Sequence, residues 1–212
     1  MEALLSMDYI PEPTVTGRKE NRLAFSASAG ENILLLGSAK RCRLHFLTLC
    51  GLHRPDGGVV TLDGRNVYEM TGKEAAAFRR DAIGAVPRGL GLIPELSLLD
   101  QITLPGRLAG MEEKAISERI RGLTSEMLPM HDLYNLPARC SLRKQTCAAM
   151  LRAVFCNPRV IVMDGCLEEG SDLDRDALWR AFAAMRPEGS VFVYLCGGTA
   201  PAQMPWTLQI SV

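Results

Sequence analysis

Short apolar runs alternate along the chain with stretches whose apolar residues recur at helical spacing, the pattern of a mixed α/β domain. The runs predict strands over Leu23 to Ser26, Asn32 to Leu36, Val59 to Leu62, Ala82 to Val86, Val160 to Met163, Val191 to Leu195 and Thr207 to Ile210. A further short strand is expected ahead of Tyr9. In RVIVM, every residue after Arg159 is apolar, and Asp164 follows at once. That is the pattern of a central parallel strand whose carboxyl end faces a site. From Leu98 to Pro158 the strand signal disappears, and the periodicity predicts helices over Asp100 to Ala109, Glu112 to Met127 and Leu142 to Phe155. The chain reads as one α/β domain over residues 1–212, with a helical subdomain inserted at about 98–157. Gly57-Gly58 and Asp63-Gly64 bracket VVTL in a hairpin-like excursion.

Composition narrows the choice of partners. A chain of 212 residues that is 47% hydrophobic supports one full core, and its formal net charge of +0 argues against bulk nucleic acid as a ligand. No window is apolar enough to span a bilayer, and MEALLSMDYIPEP lacks the basic and apolar regions of an export signal. The expected location is the cytoplasm, with contact to a membrane only through a partner. The seven cysteines have no disulfide-like spacing and read as free thiols, mostly small core residues.

The stretch GSAKRCRLHF, from Gly37 and Ser38 to Phe46, follows the apolar ILLLG and opens a helical segment. Lys40, Arg41 and Arg43 cluster at that helix's N-terminus, where cations oppose the helix dipole unless an anion is near. The plain reading is a solvated basic turn; a weak, metal-free anion site is the alternative. Cys42, His45, Cys50 and His53 include both ligand types that zinc prefers, but a helix over 42–50 turns Cys50 away and the spacing matches no zinc finger. No metal site is expected.

The connecting segments resemble those of ATP-binding cassettes, the nucleotide-binding subunits of ABC transporters, nearest to the lipoprotein-release and macrolide-export subgroup. The resemblance rests on AGENILLLG, on CGLHRPDGGVVTLDGRNVYEMTGKEAAAFRRDAIGAV, on LGLIPELSLLDQITLPGRLAG and on LRAVFCNPRVIVMD, and covers nearly the whole chain. It implies a P-loop NTPase-like core, a mixed sheet with flanking helices, and an inserted all-helical subdomain. The reactive motifs depart from the family. Its phosphate loop, GxxxxGK[ST], wraps phosphates in backbone N–H groups and supplies a lysine and a magnesium-ligating hydroxyl. Here Arg41, Cys42, Arg43 and Leu44 fall where Gly, Lys, Ser and Thr belong, and Lys40 stands two positions early.

The other family positions carry the same kind of change. Arg88 takes the place of the glutamine that contacts magnesium, and Cys140, Ser141, Leu142, Arg143 and Lys144 align with the signature LSGGQ, of which only the serine remains. Asp164 keeps the strand-end aspartate, but Gly165 replaces the general base. Glu168 and Glu169 raise the alternative of a displaced base, against a solvated acidic loop. The segment Ser171 to Asp174 resembles the dimer-contact loop SALD, three residues further along, and leads into a helix over Asp174 to Met185. Cys196 stands where a histidine would touch the γ-phosphate, and Tyr9 is matched to the adenine-stacking aromatic, against the plainer reading of a core or surface tyrosine.

The resemblance therefore implies a cassette without catalytic residues. No cofactor is expected, with ATP and magnesium held weakly if at all. Its expected role is a subunit that docks to an ABC permease, pairs with a companion cassette, or both, in a dimer, peripheral to the cell membrane. The alternatives are a weak or partner-dependent ATPase using Lys40 and Asp164, and a cytosolic regulatory protein on a cassette fold. GLGLIPELSLLDQITLP, which matches the family's permease-docking region, favours docking. No regulatory domain is expected after the strand ending near Val212.

Overall fold

The structure is a computed structural model and describes residues 3–11, 22–124, 127–168, 172–198, 200 and 204–212. Two sheets form its frame. In the first, β1 (Leu5–Ile10) pairs antiparallel with β2 (Leu23–Ala27) and β4 (Gly57–Leu62), and β4 pairs with the short β5 (Arg65–Asn66). The second sheet is parallel throughout, in the order β6 (Ile83–Val86), β7 (Val160–Asp164), β8 (Val191–Cys196), β3 (Asn32–Leu36) and β9 (Leu208–Ser211). Strands β7 and β8 are buried along their whole length, which is why they read as unbroken apolar runs rather than alternating ones.

Helix α1 (Ala39–Leu49) follows β3 and packs against β7 and β8. It begins earlier than the reading of a helix over 42–50 allows, because Ser38 serves as its N-cap. Helix α2 (Gly72–Ala82) is an element the hydrophobic pattern did not mark. Its start is nevertheless written in TGKE: the Thr71 hydroxyl accepts from Glu74 N–H while the Glu74 carboxylate accepts from Thr71 N–H.

Among the described residues, only helices and 3₁₀ turns occur between β6 and β7: α3 (Leu98–Leu108), α4 (Glu113–Thr124) and α5 (Leu142–Val154). Helix α3 starts at Leu98 rather than Asp100, with the Ser97 hydroxyl capping Asp100 N–H. Helix α4 is shorter than expected at both ends, and residues 125–126 of the expected span lie outside the described residues. Helix α6 (Asp172–Met185) precedes β8. One core joins α3, α4, α5 and α6 to one face of the parallel sheet. The other fills the space between that sheet's opposite face, α1 and the antiparallel sheet. Neighbouring strand ends from β3, β7 and β8 consequently open on one edge, the place where parallel sheets hold ligands.

Candidate functional site

At that edge the backbone turns from β3 into α1 through only Gly37 and Ser38. Ser38 Oγ accepts from Arg41 N–H at 3.4 Å, and the Ser38 carbonyl accepts from Cys42 N–H at 2.9 Å, so two of the helix's first amides bond to its own cap. Gly37 N–H donates to the Cys196 carbonyl at 3.1 Å. A Cβ on Gly37 would stand 2.5 Å from the Val212 carbonyl oxygen, so the chain beyond β9 packs directly on this turn. Lys40, Arg41 and Arg43 point into solvent, whereas Cys42 is buried with its Sγ 3.5 Å from the Gly37 carbonyl. Burial, reinforced by the charge of Asp164, pushes the Cys42 thiol up to about 11.

The centre of the edge is an ion cluster. Arg88, two residues past β6, places Nη2 3.1 Å from Asp164 Oδ1 and Nη1 2.6 Å from Glu168 Oε2. Asp164 is fully buried at the end of β7, and its Oδ2 has no hydrogen-bond partner among the described residues. Glu168 turns its other oxygen, Oε1, toward the backbone beyond β8, where it accepts from Gly197 N–H at 2.5 Å and Gly198 N–H at 3.2 Å. Gly165 lies between the two carboxylates with φ +57°, a conformation natural to glycine. A Cβ there would stand 2.2 Å from Arg88 Nη2, so the guanidinium occupies the space that a side chain at 165 would need.

The charges answer one another. Burial raises the Asp164 carboxyl above the ordinary carboxylate range, with Arg88 opposing the rise. Burial acts the same way on Glu168, but hydrogen bonds from Arg88 and Gly197 N–H outweigh it and hold that carboxyl below its usual value. The hydrogen bond to Glu168 raises the pKa of Arg88 further. With both oxygens engaged and its proton affinity lowered, Glu168 is poorly placed to act as a general base. Burial pushes the Cys196 thiol, at the same edge, up to about 11.

The loop that follows Arg88 is pinned twice more. Arg152, on α5, donates from Nη1 to the Gly91 carbonyl and from Nη2 to the Leu90 carbonyl, each at 2.8 Å. The fully buried Gln101 accepts from Ile93 N–H at 3.2 Å and donates to the Ile93 carbonyl at 2.5 Å. Neither Arg152 nor Gln101 stood out in the sequence. Each looks like an ordinary polar position on a helix until the loop's unpaired carbonyls are counted.

The structure thus gathers Gly37, Cys42, Arg88, Asp164, Gly165 and Cys196 at one edge and adds Glu168 as the counter-ion of Arg88. It places other expected site residues elsewhere. Tyr9 lies inside β1, not after it, and is fully buried; its hydroxyl and His45 Nδ1 are 2.6 Å apart, so no ring face is left for stacking. Ser141 caps α5 by accepting from Lys144 N–H. Asp174 is exposed on α6 and pairs with Arg143 at 3.1 Å, joining the starts of α5 and α6. Glu169 and Ser171 lie outside the described residues. Among the described residues no three His, Cys, Asp or Glu side chains converge on a metal position. His53 instead turns to the Pro11 carbonyl, 3.3 Å away.

No family model matches the chain. Individual proteins do. An uncharacterized ABC transporter ATP-binding protein of Mycobacterium tuberculosis is 31% identical over 157 residues, which are 74% of this chain and 62% of that protein. The lipoprotein-releasing system ATP-binding protein LolD of Maricaulis maris is 30% identical over 190 residues, 86% of this chain and 81% of the relative. LolD of Hyphomonas neptunium is 30% identical over 170 residues, 77% and 72%. Among solved structures, the dimeric ATP-binding cassette MJ0796 bound to ADP and Pi superposes with a TM-score of 0.71 at 20% identity, covering 92% of this chain and 86% of that one. The fold and the extent of these matches place the chain in one family: it belongs to the ATP-binding proteins of ABC transporters.

Proposed function

We propose that this chain is a cassette subunit that does not hydrolyse ATP, or barely does, and that acts by docking to an ABC permease, by pairing with a companion cassette, or by both. The observation that carries this reading is the Arg88–Asp164–Glu168 cluster, in which a guanidinium holds the strand-end Asp164 and the loop carboxylate of Glu168 with no metal required. A magnesium ion and a guanidinium cannot both occupy the inner side of Asp164. The turn at Gly37 and Ser38 supports the same reading, since two first-turn amides already bond to Ser38 and nothing there forms a wide glycine cradle for phosphates. Cys42 supplies neither the charge nor the hydroxyl that a magnesium-bound triphosphate takes from that position. The residues present do not fit such a ligand.

Kinship with the ATP-binding protein of a lipoprotein-releasing system and the fold shared with a dimeric cassette support work within a membrane complex. Among the described residues no helix is long and apolar enough to cross a membrane, so contact would run through the permease. The test is thermal unfolding with ATP, with and without magnesium. A nucleotide at one hundred times its Kd would stabilise the fold by about 2.7 kcal/mol, roughly 5–10 °C for a chain of this size. The midpoint is expected not to move. A magnesium-dependent rise would transfer the lead to a weak or partner-dependent ATPase.

A further inference from the structure

The loop from Arg88 to Ser97 connects the carboxyl end of β6 to α3, carrying Ile93, Pro94 and Glu95 exposed at its far end. Arg88 fastens its first turn to the ends of β7 and, through Glu168 and the amides of Gly197 and Gly198, of β8. Arg152 and Gln101 fasten its middle and end. A loop fixed at three places has little slack, and the first of these anchors is built entirely from the chain's own charges.

We infer that Arg88 and Glu168 form an internal latch, a built-in cation and anion that fill the nucleotide edge and hold loop 88–97 in one pose without any ligand. The inference rests on the reading that the site takes no nucleotide, and it specifies how the permease-facing segment is regulated: it is presented constitutively. Three placements carry it. Glu168 bridges the side chain of Arg88 and two backbone N–H groups beyond β8, so it ties together segments remote in sequence. Gly165 leaves open the volume into which the guanidinium fits. Gly197 lies against the first turn of α1, its Cβ position 3.4 Å from Ala39 N, so the Glu168 carboxylate stands as an anion near that helix start.

Hydrogen–deuterium exchange on the full chain tests the latch. Glu168→Ala removes the acceptor of Gly197 and Gly198, and Arg88→Gln removes the bridge. Each variant is expected to raise exchange in both segments, 88–97 and 197–198, by roughly tenfold or more, the scale of a charge-assisted hydrogen bond. The double variant is expected to exchange no faster than the faster single one, and peptides from β1 and β4 are expected to stay as in wild type. If Glu168→Ala loosens only 197–198 and leaves 88–97 unchanged, the two ends are not coupled and the latch is wrong. Glu168→Gln is the milder check: it keeps an acceptor for the two amides but not the charge, and is expected to loosen 88–97 alone. ATP and magnesium added to wild type separate this inference from the functional reading. Nucleotide binding would overturn that reading, whereas the variants alone decide the latch.

Discussion

Adding one methyl group at Gly165 should reveal how firmly the ion cluster is held. Alanine at φ +57° costs about 1–2 kcal/mol in backbone strain alone. The new Cβ would also stand 2.2 Å from Arg88 Nη2 and 2.4 Å from Arg88 Cζ, so the guanidinium must leave its seat between Asp164 and Glu168. Asp164 is fully buried, and a buried charge stripped of its partner costs about 3–5 kcal/mol. The lower end applies here, because the Arg88 side chain is 33% exposed and its pairs are partly screened. Gly165→Ala is therefore expected to destabilise by about 4–5 kcal/mol, a large share of the roughly 5–15 kcal/mol typical of a domain. In an Arg88→Gln background the clash and the ion pairs are already gone, so the same substitution should cost only about 1–2 kcal/mol. Urea unfolding of the four proteins gives the coupling directly, expected near 3 kcal/mol. Equal costs in both backgrounds, within about 0.5 kcal/mol, would mean that the guanidinium does not fill the space beside Gly165.

His45 is buried, and its pKa is lowered to about 4, first by burial and then by the nearby charge of Arg41. The unfolded chain thus takes up a proton near pH 6.5 that the fold refuses. Stability should fall as pH drops from about 6.5 toward 4, by up to about 3 kcal/mol, and His45→Gln should flatten that slope in urea titrations. Protonation of Glu168, whose carboxyl is held low, adds a loss at more acid pH, while Asp164, held high by burial, acts in the opposite sense. Iodoacetamide at mildly alkaline pH should label the half-buried Cys140 and Cys156 well before Cys50 and Cys166, whose thiols burial pushes up to about 12; peptide mapping reads the order. Arg143→Ala and Asp174→Ala should each cost no more than about 1 kcal/mol, since both partners are exposed. Ser141→Ala should cost about 1 kcal/mol through the lost cap of α5.

Much of this was legible from residues and spacing. The unbroken apolar run of β7 marked a central parallel strand because both faces of its sheet are covered, and β3 and β8 were legible as strands. Asp164 announced itself by following such a run. Arg88, Gly165 and Cys196 were legible as departures from the family's chemistry, but nothing in the sequence showed that they answer each other in space. Glu168 was legible as a displaced base or a solvated acid but not as a counter-ion, because that role shows only once the guanidinium and amides that surround it are known. Tyr9 had two readings, an adenine-stacking aromatic by resemblance and a core or surface tyrosine by its own context, and the fold buries it in the core with its hydroxyl against His45 on α1.

The most direct measurement is a crystal structure grown with excess ATP and magnesium. Arg88 is expected still to bridge Asp164 and Glu168, with Gly197 and Gly198 N–H donating to the Glu168 carboxylate and no ordered nucleotide at the Gly37 turn. A magnesium ion beside Asp164, with phosphates along α1 and Arg88 swung outward, would contradict that expectation.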